Sequence, residues 1–211
     1  VQLPRLFLIT DRKRTPQPLH LAVRSALSAI PPGQAAILLR EKYLDGKALL
    51  TLATELRAVT REFESVLVIS SRWDVALACE ADGAHLGGDA PQIRDVRASV
   101  GRRLLLGASL HGEESAPSEA DYAFISPVFA TQSKPGVTPI GLDGVKRCSA
   151  NSASTPVFAL GGISTPQQIT SCLEHGAFGV AVLGAVLTST DPSTQAALLW
   201  QAINAQVTVA R

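Results

Sequence analysis

His111 follows the apolar run at residues 104–109 by two positions. Imidazole titrates nearer neutrality than any other unperturbed side chain, so the chemistry it offers is proton transfer; a lone histidine can equally serve structure. Two glycine-rich ends, Gly161-Gly162 after residues 157–160 and Gly184-Ala185 after residues 179–183, would let backbone N–H groups approach an anion. A helix starting after Gly184 would add the positive end of its dipole, and phosphate is the expected guest. Two tight turns without a ligand would use the same glycines. Ser109, Thr131, Ser133 and Lys134 supply hydroxyls and a cation suited to an anionic or heteroaromatic ligand, although a solvated loop has this composition too. Arg40 and Lys42 offer two cations at a further strand end, fit for phosphate or carboxylate unless Glu41 or a helix acid pairs with them.

The elements that must position these residues are eight short apolar runs, at 6–10, 36–40, 66–70, 83–86, 104–109, 122–126, 157–160 and 179–183. Helix-like intervals separate them. Residues 19–30 and 46–63 carry apolar residues at helical spacing, Thr165-Pro166-Gln167-Gln168 reads as a capping box with proline at the first helical position, and Asp191-Pro192 opens a last helix whose end, 201–211, should fray. Strand-helix alternation demands parallel neighbours, because a hairpin cannot join parallel strands. Eight such units predict one closed (β/α)8 TIM barrel over residues 1–211, with its active site at the C-terminal strand ends.

Composition narrows the functional classes. A chain of 211 residues that is 46% hydrophobic can fill a barrel interior and a helix interface, whereas a net charge of +1 with no basic run argues against a nucleic-acid partner. No stretch is long and apolar enough for a membrane span, and no signal peptide is indicated. Cys79, Cys148 and Cys172 form no CxxC pair and read as buried thiols, fitting a reducing cytoplasm. His85 is expected to pack or hydrogen-bond inside the barrel, and His20 and His175 to lie at surface helix ends. The oligomeric state stays open, a homo-oligomer included.

The segments Leu39-Arg40-Glu41-Lys42, Asp82-Gly83-Ala84-His85-Leu86-Gly87, Leu106-Gly107-Ala108-Ser109-Leu110-His111, the loop from Asp121 to Gly136, and Leu160-Gly161-Gly162-Ile163 occur in order, one near each successive strand end. Together they resemble the thiamine phosphate synthase and TenI family. The resemblance implies a barrel that binds a small phosphorylated thiazole. Its synthase branch joins that thiazole to a pyrimidine diphosphate with magnesium and releases pyrophosphate; its TenI branch includes tautomerases that aromatise a thiazole carboxylate phosphate, with a histidine acid/base at the position of His111.

The metal positions separate the branches. The family's synthases carry an Asn-Asp pair after the third strand and a further Asp after the fourth, hard ligands for magnesium. The matching positions here are Ser70-Ser71 and Ala90, with Asp89 one residue away, and the glutamine that contacts the pyrimidine is Leu38. The expectation is therefore a TenI-like tautomerase with no cofactor and no metal site, in which His111 moves the proton. Magnesium enters only with the alternative, an active synthase. A phosphate-binding or regulatory protein without catalysis is the second alternative.

Overall fold

A computed structural model describes residues 2–112, 114–133, 135–152 and 154–209, with residues 207–209 as backbone only. Eight strands close a barrel in the order β1-β2-β3-β4-β5-β6-β7-β8, and every pair is parallel. The strands are β1 (Leu6–Ile9), β2 (Ala35–Leu39), β3 (Val66–Ser70), β4 (Gly83–Leu86), β5 (Leu105–Leu110), β6 (Tyr122–Ile125), β7 (Val157–Leu160) and β8 (Gly179–Val182). Helices α1 (Leu19–Leu27), α2 (Gly46–Glu62), α3 (Trp73–Ala78), α4 (Ile93–Val100), α5 (Gly141–Asn151), α6 (Pro166–Glu174) and α7 (Pro192–Val209) cover the outside. The predicted (β/α)8 barrel is present.

Three details depart from the sequence reading. Among the described residues no helix joins β5 to β6. That interval, rich in acids and small polar residues, has no apolar stripe to bury against the barrel. The helix predicted over 19–30 ends at Leu27, where the backbone tightens into turns before Pro31-Pro32. The final helix, expected to fray from residue 201, continues to Val209. Its packing on α1 and α6 through buried Leu199 and Ile203 explains the extra length. The capping box at Thr165 forms as read, with Thr165 accepting from the Gln168 N–H.

Strand side chains alternate between two faces, and the alternation sorts the core into two layers. One cluster lies inside the barrel: Phe7, Ile9, Leu38, Val68, Tyr122, Phe124 and Phe158 belong to it. Phe7 sits at its centre, with ring centroids 5.0–5.1 Å from Tyr122, Phe124 and Phe158. The other cluster fills the space between strands and helices, and it includes the free, buried thiols Cys79, Cys148 and Cys172. Burial pushes the Cys172 thiol up to about 12, which makes it inert.

The N-terminal end of the barrel is tied by two matching devices. Asp82 and Asp121, each just before a strand, accept the backbone N–H of Leu67 and Leu106 and pair with Arg57 and Arg97 respectively. All four charged side chains are largely buried. Among the described residues no helix is long and apolar enough to cross a membrane.

Candidate functional site

Extending the alternation toward the C-terminal strand ends changes the chemistry of the inward layer. Leu38 leads to Arg40, Val68 to Ser70, Phe124 to Ser126 and Leu160 to Gly162, while β5 contributes Ser109 and then His111. Aromatic floor thus gives way to a polar rim. These residues line a cavity of about 680 Å³ at the mouth, within the range of small-molecule sites.

The mouth gathers the candidate site residues from five strand ends. His111, Arg40, Lys42, Ser109, Thr131, Ser133, Gly161, Gly162, Gly184 and Ala185 all face it. Lys134 lies outside the described residues. The exposed His111 ring reaches the Ser126 carbonyl through Nδ1 at 3.2 Å. A carbonyl only accepts, so the neutral ring donates from Nδ1 and Nε2 is its basic nitrogen. Ser109 Oγ lies 2.9 Å from Nε2 of the buried His85, which stacks on Phe124 as part of the interior. Thr131 Oγ1 accepts from the Ser133 backbone N–H and shapes the β6 loop.

The paired glycines answer first to packing. Gly161 and Gly162 have φ of +102° and +72°, a region L-residues avoid. A Cβ on Gly162 would stand 2.5 Å from the Ala130 carbonyl oxygen, and one on Gly161 2.9 Å from Pro127 Cα. Val128 and Phe129 donate to the carbonyls of Leu160 and Gly161, lacing the β6 loop to the end of β7. Packing and positive φ thus require glycine at both positions, and both also border the cavity. At β8 the expectation of a helix start fails: residues 183–190 form bends and a turn, in which Thr188 Oγ1 donates to the Gly184 carbonyl. No helix dipole is available there.

The positive charge at that end comes instead from Arg14, which sequence reasoning missed. Its guanidinium would come within 3.4 Å of a Cβ on Gly184, and it lines the cavity. Arg14 sits in the β1 loop outside any motif, so its only sequence signal was a cation a few residues beyond a strand end. Among the described residues neither Arg14 nor Arg40 has a carboxylate within ion-pair distance. Glu41, considered as a partner for Arg40, is buried and accepts from Thr10 Oγ1 at 2.8 Å and from the Arg12 N–H at 2.9 Å. It braces the β1 loop against β2. Lys42 pairs with Asp89 at 3.3 Å, both side chains exposed.

The donor set does not fit magnesium. The mouth presents Ser70 and Ser71 hydroxyls and a single carboxylate, Asp89, already facing Lys42. Among the described residues no group of three His, Cys, Asp or Glu converges on one point. Neutral hydroxyls are poor substitutes for the carboxylates that hold a divalent ion on a diphosphate.

The closed parallel barrel, with glycine turns, arginines and a histidine around its C-terminal cavity, defines a (β/α)8 barrel with a small-molecule-sized site at the usual end. The profile of the thiamine monophosphate synthase family, which includes TenI, matches residues 6–186, and the chain belongs to that family. It is 35% identical over 204 residues to the thiamine-phosphate synthase of Gloeobacter violaceus, covering 95% of this chain and 58% of that one. The chain thus spans little over half of that relative's length. The thiamine-phosphate synthase of Chloroflexus aurantiacus is 36% identical over 91% of this chain and 89% of its own. Among solved structures, thiamine phosphate pyrophosphorylase from Pyrococcus furiosus superposes with a TM-score of 0.84 at 31% identity, covering 95% and 96% of the two chains.

Proposed function

We propose that this chain binds a phosphorylated thiazole in the barrel mouth and acts on it as a tautomerase, by proton transfer without a metal. The observation that carries the reading is the uncharged character of the mouth at Leu38, Ser70 and Ser71, together with the engagement of Asp89 by Lys42. A diphosphate leaving group needs concentrated positive charge, and a metal needs acidic ligands to stay there. Moving a proton on a thiazole carboxylate phosphate needs neither. The phosphate would lie against the Gly161-Gly162 and Gly184-Ala185 turns, with Arg14 in place of a helix dipole. Arg40, Ser109, Thr131 and Ser133 would surround the ring and carboxylate. His111 Nε2 takes the proton from the ring carbon and returns it after the double bonds shift, so that no proton is gained or lost overall.

The second reading is the synthase, joining a pyrimidine diphosphate to the thiazole phosphate. The relatives named above are called synthases or pyrophosphorylase, and those names favour it over the tautomerase for the family's activity. One experiment separates the two. Purified protein is given thiazole carboxylate phosphate alone, and separately both synthase substrates with magnesium. Aromatisation without pyrophosphate release supports the proposal; magnesium-dependent pyrophosphate release establishes the synthase, and turnover of neither leaves a binding protein.

A further inference from the structure

Two buried polar atoms below the mouth have no hydrogen-bond partner among the described residues: His85 Nδ1 and the Tyr122 hydroxyl. They occupy one layer of the barrel, because His85 is in register with Gly107 and Gly107 with Tyr122. A Cβ on Gly107 would stand 2.5 Å from the phenol oxygen. The hydroxyl therefore leans across β5 toward the strand that carries His85. The two rings lie 5.6 Å apart at 31°. His85 is held in place by stacking on Phe124 at 4.2 Å, and its other nitrogen reaches Ser109 Oγ at 2.9 Å.

Each group has one proton to place. Burial drives the His85 pKa down to about 3, so the ring is neutral, and burial raises that of Tyr122, so the phenol keeps its proton. Two proton orders are available. In one, the phenol donates toward Nδ1 through one bridging water, the Nε2–H donates to Ser109, and the Ser109 proton turns to the cavity. In the other, Nδ1–H donates toward the phenol oxygen, Ser109 donates to Nε2, and the phenol proton is left buried without an acceptor. An unmade donor costs its full desolvation, and the first order leaves fewer donors unmatched than the second.

We propose that Tyr122 and His85 are positioning residues that fix Ser109 as a hydrogen-bond donor to the ligand, so that the site selects an acceptor there, a carboxylate oxygen or a ring nitrogen. The identity of that acceptor rests on the thiazole reading above; the proton order belongs to the free protein.

The test begins without ligand. In protein labelled with ¹⁵N-histidine, two-bond ¹⁵N–¹H correlation at neutral pH should show His85 with its proton on Nε2, and Tyr122→Phe should shift population toward the Nδ1–H form. A wild-type Nδ1–H tautomer, or a tautomer unmoved by Tyr122→Phe in a folded variant, overturns the proposal. Titration follows. Tyr122→Phe should weaken thiazole carboxylate phosphate about tenfold, the loss of one hydrogen bond to a charged group, and leave inorganic phosphate unchanged. An equal loss for both probes overturns the positioning role. If wild-type protein ignores the thiazole but shows the expected tautomer, the function reading fails and the proton order stands.

Discussion

Replacing Gly162 and Gly184 separately by alanine should divide stability from binding. At Gly162 the alanine must keep φ near +72°, which costs about 1–2 kcal/mol for an L-residue. Its Cβ must also clear a backbone oxygen at 2.5 Å and Phe129 Cβ at 2.7 Å. Neither neighbour is the end of a flexible chain, so the strand-end turn and the β6 loop must part, adding about 1–3 kcal/mol as overpacking does. The sum, about 2–5 kcal/mol, corresponds to a fall of roughly 1 M in the urea midpoint if the slope is about 3 kcal/mol/M. At Gly184 no left-handed φ is required, and the nearest atom, at 3.4 Å, is the tip of the Arg14 side chain. That tip can swing aside, so Gly184→Ala should change stability by about 0.5 kcal/mol or less. Displacing the guanidinium should instead weaken phosphate. The measurements are urea unfolding followed by circular dichroism and calorimetric titration with inorganic phosphate. A Gly162→Ala protein as stable as wild type, or a Gly184→Ala protein that unfolds early yet binds phosphate normally, would refute the reasoning.

Four further outcomes are expected. Arg14→Gln should reduce phosphate affinity about tenfold with stability unchanged, and should lessen its salt dependence, since an exposed cation acts mainly through charge; a normal titration removes Arg14 from the site. His111→Asn should keep the fold while lowering aromatisation roughly 10²–10⁴-fold, read by ultraviolet absorbance, and unaltered turnover would exclude the imidazole as the shuttle. His85 has a folded pKa of about 3 against 6.5 for the free ring, so the unfolded chain binds the extra proton between those values and stability falls as pH drops through that window. Wild type should lose about 2–3 kcal/mol more than His85→Gln between pH 6.5 and 4.5, measured by urea unfolding, and parallel acid limbs would contradict the buried neutral ring. Asp121→Asn should cost about 2–4 kcal/mol, because it breaks a largely buried pair with Arg97 that also caps the Leu106 N–H; a change within 0.5 kcal/mol would show the pair to be dispensable.

The strand runs, their alternation with helices and the barrel they require were legible in the chain, because side-chain periodicity is local and parallel pairing leaves few ways to connect consecutive strands. The same locality exposed the polar residues that follow the apolar ones on a strand, Arg40 after Leu38 and Ser70 after Val68, and the polar pair Ser109 and His111. What those residues meet was not local. Closure of the barrel brings Asp89 to Lys42 and Arg14 to Gly184, pairs separated by long stretches of chain. It turns Gly161-Gly162 into the place where the β6 loop packs, a role that glycine-rich spacing cannot distinguish from phosphate binding. The helix expected after Gly184 is absent, although propensity allowed it. Most plainly, His85 and Tyr122 each read as an ordinary strand residue, and only the register through Gly107 sets them side by side with Ser109 above. The sequence by itself determined which strand-end residues face inward at the mouth; the tertiary structure alone decided that Arg14 joins them and which of them pair with each other, because a neighbour across a closed barrel is chosen by strand register and not by distance along the chain.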